Sequence, residues 1–268
     1  MIAEFAIKFV VGYLLGSLVG ALLIGKLRGV DIRRLGSGNA GGTNALRTQG
    51  KAFALWVMVI DIGKGWLAAG PLARLRIPGV SHRDFVYAVV TLRGTTGADV
   101  GYQERLVSQD VNHWFDTMPY GWLAAACGIA AVLGHVYPIF FGFRGGKGVA
   151  TLIGAVLGLN PLLIVPMLLT WLVVVALFGF VGLASILGSV ALAAVAVMGV
   201  LEHHLPAFVE YALFALGVVG PQWYLLAFGA VATVLIAFTH RSNIARMRSG
   251  TEPRARRLWL FAPRSGGA

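Results

Sequence analysis

Long apolar runs alternate along this chain with short segments that are polar, glycine-rich and basic. About 20 apolar residues in a helix cross the roughly 30 Å of bilayer hydrocarbon. Runs of about that length occupy 4–25, 53–73, 120–141, 161–180, 181–201 and 220–239. A seventh run, 148–159, is short. At about 1.5 Å per residue it covers little more than half a bilayer. It is expected to start inside the protein at a re-entrant loop, where neighbouring helices satisfy its backbone. The pattern predicts an all-α polytopic membrane protein of about seven transmembrane helices, forming a single integral-membrane domain over 1–268. No second soluble domain and no internal repeat is evident.

Seven spans put segments 26–52, 142–147 and the tail 240–268 on one face. Segments 74–119 and 202–219 share the other face with the N-terminus. Sixteen of the 22 Lys and Arg fall on the first face, counting Lys64 with it, and six on the second. The bias makes the first face cytoplasmic, with the N-terminus outside and the C-terminus inside. Part of the same charge suits substrate binding, so the two roles overlap. The 74–119 stretch is expected to be an extracytoplasmic loop, which the resemblance given below marks as an insertion, and 253–268 a basic cytoplasmic tail.

Composition agrees. Apolar residues make up 57% of the chain and charged residues 12%, against about 25% charged in a soluble domain. The net charge of +11 would suggest nucleic acid as the partner of a soluble protein. Here the charges cluster between apolar runs, which points to membrane lipids and phosphorylated substrates, with no nucleic acid. The first apolar run lacks the basic start of a signal peptide, carrying Glu4 and Lys8, and is expected to be retained. Cys127 is the single cysteine. It cannot form an internal disulfide and is expected to be a small core residue.

Three polar motifs differ from ordinary loops, and all fall on the face assigned as cytoplasmic. The first runs Gly36-Ser37-Gly38-Asn39-Ala40-Gly41-Gly42-Thr43-Asn44, followed by Arg47. Its glycines allow main-chain N–H groups to approach an anion. Ser37, Asn39, Thr43 and Asn44 add hydrogen-bonding groups, and Arg47 a fork suited to phosphate. A flexible glycine loop is the alternative. The second motif places Gly134-His135 and Pro138 before Arg144-Gly145-Gly146-Lys147-Gly148 and Thr151. Its basic glycine run meets the start of the short helix, whose N-terminus favours phosphate. A Walker A loop is excluded, because Phe141 and Gly148 stand where it needs Gly and Ser or Thr. Arg144 and Lys147 would alternatively serve only membrane orientation. The third motif, Thr239-His240-Arg241-Ser242-Asn243 through Arg246, with Gly250 and Glu252 beyond, closes the last span. Spacing of three brings His240, Asn243 and Arg246 onto one flank; an ordinary basic cap is the alternative. Within the second span, Asp61 and Lys64 are expected to pair, more as a structural ion pair than as catalysts.

Taken together, these motifs resemble the bacterial acyl-phosphate:glycerol-3-phosphate acyltransferases, the PlsY family. All three occur in family order, Asp61, Lys64 and Gly65 also match, and the resemblance spans roughly 5–253. The 74–119 stretch and the arginine-rich tail depart from it, without touching the motifs. The resemblance implies transfer of a fatty acyl group from acyl phosphate to the 1-hydroxyl of glycerol 3-phosphate, in phospholipid biosynthesis. The products would be lysophosphatidic acid and phosphate. Acyl phosphate is already activated, so no cofactor and no metal is expected.

Ser37, Arg47, Lys147, His240 and Asn243 carry over as catalytic residues. Gly36, Gly38, Asn39, Gly41, Thr43, Asn44, His135, Gly145, Gly146, Gly148 and Thr151 are expected to bind substrate or phosphate, the glycines through backbone N–H groups. Two proton acceptors remain open: the donor's own phosphate, which is preferred, and His240. Glu252 is set aside as lying beyond the last span, and both His135 and His240 sit among cations that disfavour an imidazolium. An anion transporter would spread its polar groups across the bilayer rather than on one face. A soluble-type acyltransferase would carry His-x4-Asp, and no histidine here has Asp five positions on.

Overall fold

The computed structural model describes residues 2–78, 120–201, 204–218, 222–256 and 258–261. From residue 79 on, the 74–119 insertion lies outside them. Among the described residues the regular structure is helical. In chain order the helices are α1 (Ile2–Gly16), α2 (Gly20–Leu27), α3 (Gly42–Gln49), α4 (Lys51–Leu67) and α5 (Tyr120–Val136). They continue with α6 (Val149–Leu159), α7 (Ile164–Phe178), α8 (Val181–Val200), α9 (Ala207–Ala215), α10 (Trp223–Thr239) and α11 (Arg241–Arg248).

Four stretches are long and apolar enough to cross a membrane: Lys51–Leu72, Tyr120–Phe141, Pro161–Phe178 and Val181–Val200. Two bent pairs pass the same test when each is taken as one span: α1 with α2 across 48°, and α10 with α11 across 55°. The described residues therefore hold four spans, or up to six, rather than seven full ones. Helix α6, with 11 residues, is the short run of the sequence pattern. Segment 202–219, read as polar, contains α9, whose Phe208, Tyr211 and Phe214 are exposed.

Apolar burial between helices gives little driving force in lipid, so close backbone approach has to hold such a bundle together. Gly12 and Gly16 of α1 lie against Cys127, Ala130 and Ala131 of α5. A Cβ added at Gly16 would meet the Ala131 carbonyl oxygen at 2.1 Å. Helices α4 and α6 meet in the same way: Gly65 faces Thr151, and Gly154 faces Ile62. Helix α6 is thus wedged among protein neighbours, as its length requires.

The first span, expected as one helix over 4–25, breaks at 17–19. Ser17 Oγ donates back to the Tyr13 carbonyl at 2.9 Å, a bond that competes with the helix ladder and bends it. The break frees backbone groups inside the bundle, and the buried Asp61–Lys64 pair takes them up. Gly20 N–H donates to Asp61 Oδ1 at 3.0 Å, and Lys64 Nζ donates to the Leu18 carbonyl at 3.1 Å. Lys64 had been counted with the basic face; it stands instead well inside the span Lys51–Leu72, 4% exposed. Lys8 is likewise buried, donating to Glu4 Oε1 and to the Ala73 carbonyl.

Candidate active site

Motif 1 is a loop closed by its own asparagine. Asn44, buried at the start of α3, accepts from Ser37 N–H at 3.0 Å and donates to the carbonyls of Leu35 and Ile32. Gly36 has φ +55°, and an added Cβ would sit 2.4 Å from Asn44 Oδ1. Only glycine fits there. Arg33 then ties this loop to motif 2. It grips Asp31 with Nε and Nη2, and Nη1 reaches the carbonyls of Phe141 and Arg144. The Arg33 guanidinium holds the Asp31 carboxyl below its ordinary range.

Motif 2 is held from behind by a buried cluster. Lys64 Nζ lies 2.9 Å from Asp61 Oδ1 and 2.9 Å from His135 Nδ1. With the Leu18 carbonyl, these contacts use all three ammonium hydrogens. His135 Nδ1 also lies 3.4 Å from Asp61 Oδ1, and its Nε2 lies beneath Gly146. A Cβ on Gly146 would lie 2.2 Å from that nitrogen.

Motif 3 begins where α10 turns into α11. His240 Nδ1 lies 2.8 Å from the Ile236 carbonyl, which only accepts, so Nδ1 carries a hydrogen and Nε2 of the neutral ring is the open acceptor. Thr239 Oγ1 donates to the Lys147 carbonyl at 3.1 Å, joining motif 3 to motif 2. Lys147 Nζ donates to Asn243 Oδ1. Asn243 Nδ2 donates to Glu252 Oε1 at 2.6 Å, and Arg246 Nε to Glu252 Oε2 at 2.6 Å. Burial pushes the Lys147 ammonium down to about 8; the Arg246 charge adds to this and Glu252 opposes it.

These motifs enclose one cavity of about 660 Å³. Ser37, Arg47, Lys147, His240 and Asn243 all line it, as do Gly36, Asn39, Gly41, Thr43, Asn44, His135 and Gly148. The first turns of three helices also line it: Gly42 and Thr43 of α3, Val149 and Ala150 of α6, and Val181 and Gly182 of α8. Helix α11 starts there too, continuing α10 through His240. Each N-terminus leaves N–H groups without an acceptor in its own helix and carries partial positive charge. Such ends, with Arg47, Lys147, Arg246 and Arg254, suit an anion, and the Asp61 and Glu252 carboxylates line the same cavity. Met58, Ile153 and Trp171 form an apolar part of its wall.

Gly38, Gly145, Gly146 and Thr151 do not reach the cavity. At three of the motif glycines the backbone N–H already has an acceptor within the protein. Gly38 N–H donates to Leu35, Gly145 to Val136 and Gly146 to His135. Thr151 is fully buried in α6, its carbonyl against Gly65. Asn44 touches the cavity, but its amide is committed to the loop. His135 belongs to the buried cluster as much as to the wall.

Glu252 closes motif 3 in the sequence but was given no role at the site. It was set aside as lying beyond the last span. The chain instead reverses at Gly250 (φ +72°), and the N–H groups of Thr251 and Glu252 both donate to the Arg246 carbonyl. This carries the carboxylate back to the cavity, its side chain 7% exposed. A glycine two residues past the last helical position was the available signal.

Fold and site together define an integral-membrane protein with a cationic, donor-rich cavity beside an apolar wall. The glycerol-3-phosphate acyltransferase family model matches residues 6–250, and the chain belongs to that family, the family of PlsY. It is 36% identical to the glycerol-3-phosphate acyltransferase of Chlorobaculum tepidum over 248 residues, covering 91% of this chain and 94% of that one. It is 35% identical to that of Trichormus variabilis, covering 91% and 89%. The crystal structure of PlsY, an integral membrane glycerol 3-phosphate acyltransferase, in its glycerol 3-phosphate form is similar at a TM-score of 0.63 and 30% identity. That likeness covers 93% of this chain and 94% of that one. The lysophosphatidic acid form of PlsY matches over the same shares at 0.61.

Proposed function

We propose that this protein transfers a fatty acyl group from acyl phosphate to the 1-hydroxyl of glycerol 3-phosphate. The products are lysophosphatidic acid and inorganic phosphate, and the reaction serves phospholipid synthesis at the bacterial cytoplasmic membrane. The observation that carries the reading is a cavity in which helix N-termini and four cationic side chains, Arg47, Lys147, Arg246 and Arg254, stand beside an apolar wall. Both substrates carry a phosphate, and the donor also carries a hydrocarbon chain. Arg47 and Lys147 take the phosphates and stabilise charge as it develops. Ser37 and Asn243 hold substrate oxygens, Asn243 being oriented by Glu252 on one side and Lys147 on the other. Met58, Ile153 and Trp171 take the first part of the acyl chain. The basic bias of this side of the bundle supports a cavity open to the cytoplasm.

The 1-hydroxyl adds to the acyl carbonyl, and the resulting intermediate collapses by breaking the bond from carbonyl carbon to phosphate oxygen. The hydroxyl proton leaves with the phosphate. Both carboxylate oxygens of Glu252 are already engaged, accepting from Asn243 and Arg246. The departing phosphate oxygens gain charge beside the hydroxyl and take its proton directly. His240 is the one side chain whose geometry favours a second route, since its Nε2 is an open acceptor on the cavity wall.

Purified protein in detergent, given glycerol 3-phosphate and a synthetic acyl phosphate, is expected to release phosphate and form lipid product in equal amounts. Efficient acylation from acyl-CoA, with none from acyl phosphate, overturns the donor assignment. For the proton, His240→Gln is assayed from about pH 5.5 to 9. A general base contributes about 10²–10⁴-fold. A loss of that size in turnover, at unchanged substrate affinity and with the acidic limb gone, makes His240 the base; a smaller loss with the limb retained leaves the proton with the phosphate.

A further inference from the structure

The tail beyond Glu252 is folded onto the turn between α7 and α8. The last carbonyls of a helix lack partners within it, and the tail supplies them for α7. Leu260 N–H donates to the Ala176 carbonyl at 2.9 Å, Trp259 Nε1–H to Leu177 at 3.1 Å, and Ala255 N–H to Gly179 at 2.8 Å. The Arg254 guanidinium is held between two rings, 4.8 Å from the Phe180 centroid and 4.2 Å from that of Trp259. Contact with the turn is tight: a Cβ on Gly179 would lie 3.1 Å from both Arg254 Cβ and Trp259 Cγ.

Two consequences follow from this placement. The first concerns depth. Ala176 and Leu177 belong to the last turn of the membrane-crossing stretch Pro161–Phe178, so a residue bonded to Ala176 sits level with the end of the hydrocarbon. Leu258, Leu260 and Phe261 are 51%, 72% and 67% exposed and continue the outward apolar surface of Leu177 and Phe178. At that depth these side chains meet acyl chains, and the exposed Arg254 and Arg256 stand at headgroup level, where basic residues attract anionic lipid. The second concerns the cavity. Pro253, Arg254 and Ala255 form part of its rim. The turn that the tail fixes leads into Gly182, where an added Cβ would lie 2.9–3.1 Å from three atoms of the Asn243 side chain. Tail, turn and Asn243 are in continuous contact.

We propose that residues 254–256 and 258–261 form a strap seated in the headgroup boundary of anionic lipid, closing the rim of the cavity so that lipid charge governs how tightly the site holds its substrates. The proposal rests on the acyltransferase reading only for its link to substrate. The residues of the strap are positioning residues, acting through the α7–α8 turn on Asn243.

The experiment has a physical arm and a kinetic arm. In the first, Leu260→Cys is made in a Cys127→Ala background and carries an environment-sensitive dye, with the protein in phosphatidylcholine vesicles with and without phosphatidylglycerol. Quenching by lipids spin-labelled near the headgroup is expected, stronger with phosphatidylglycerol. A water-exposed spectrum without quenching in both vesicles overturns the seating, whatever the enzyme does. In the second, wild type and Trp259→Ala are compared in nanodiscs of the same two compositions. Wild type is expected to show a KM for glycerol 3-phosphate about tenfold lower with phosphatidylglycerol, at little change in kcat, the size expected for losing one stacked and hydrogen-bonded clamp. Trp259→Ala should hold the higher KM in both lipids. Equal KM values across lipids and variants overturn the link to the site. If wild type does not turn over acyl phosphate at all, the acyltransferase reading falls, and the quenching arm still decides the strap.

Discussion

Lys147 stands where three local influences meet: burial, the neighbouring Arg246 charge and the Glu252 carboxylate. The first two push its ammonium down, to about 8 in balance with the third. The sign of the pH dependence follows. Lys147 is charged below that value and neutral above it, so phosphate binding that needs the charge weakens as pH rises through about 8. The profile of kcat/KM, which reports the free enzyme, is expected to fall on its alkaline side near there. Glu252→Gln removes the influence that raises the Lys147 pKa, so it should move the alkaline limb to lower pH; a limb left in place means that another group sets it. Lys147→Ala and Arg47→Ala each delete a charge-assisted contact worth about 1.5–3 kcal/mol, or roughly a tenfold to 150-fold loss in kcat/KM. Near-normal turnover in both variants, with folded protein, would remove them from the site. Glu252 also marks a limit of reading residue by residue. Distance along the chain put it outside, and one left-handed glycine brought it back.

At the scale of elements, broken helices do the work. The interruption at 17–19 exposes a carbonyl and an N–H inside the bundle, and the Asp61–Lys64 pair on α4 takes up both while holding His135 on α5. Removing one member leaves the other buried and unpaired. Asp61→Ala is therefore expected to cost about 3–5 kcal/mol of stability, read as a lowered unfolding midpoint in detergent. Adding Lys64→Met should restore part of it, because the orphaned charge goes too. If the double variant is no more stable than Asp61→Ala, the penalty comes from lost packing and not from charge. The sequence pattern announced the pair from its spacing of three within an apolar run. It was silent on the broken helix that the pair completes, because Ser17, Leu18 and Val19 look like ordinary span residues.

For the whole molecule, orientation is the open property, and charge bias predicts it. Most Lys and Arg of the sequence fall in the segments that carry the three motifs, and we propose from that bias a tail in the cytoplasm and an N-terminus outside. Single cysteines at Gly101 and at the exposed Ser249, which leads into the tail, again with Cys127→Ala, test this in intact cells with an impermeant reagent. Labelling is expected at the first and not at the second; labelling of the tail from outside would invert the molecule.

Much of this architecture is local in sequence and was legible there. An apolar run long enough for the bilayer must cross it or be buried, and the short run at 148–159 was expected to start inside the protein; α6 packs there against α4. The three motifs and their five carried-over residues also needed no structure to be picked out, and all five line one cavity. The tertiary structure alone decided which donors remain available there. The N–H groups of Gly38, Gly145 and Gly146 and the amide of Asn44 are already spent on neighbours, while the ends of α3, α6, α8 and α11 converge on the cavity. Composition lists donors, but whether a hydrogen bond is free to reach a substrate depends on what stands beside it in space, and that is set by how the helices break, turn and pack.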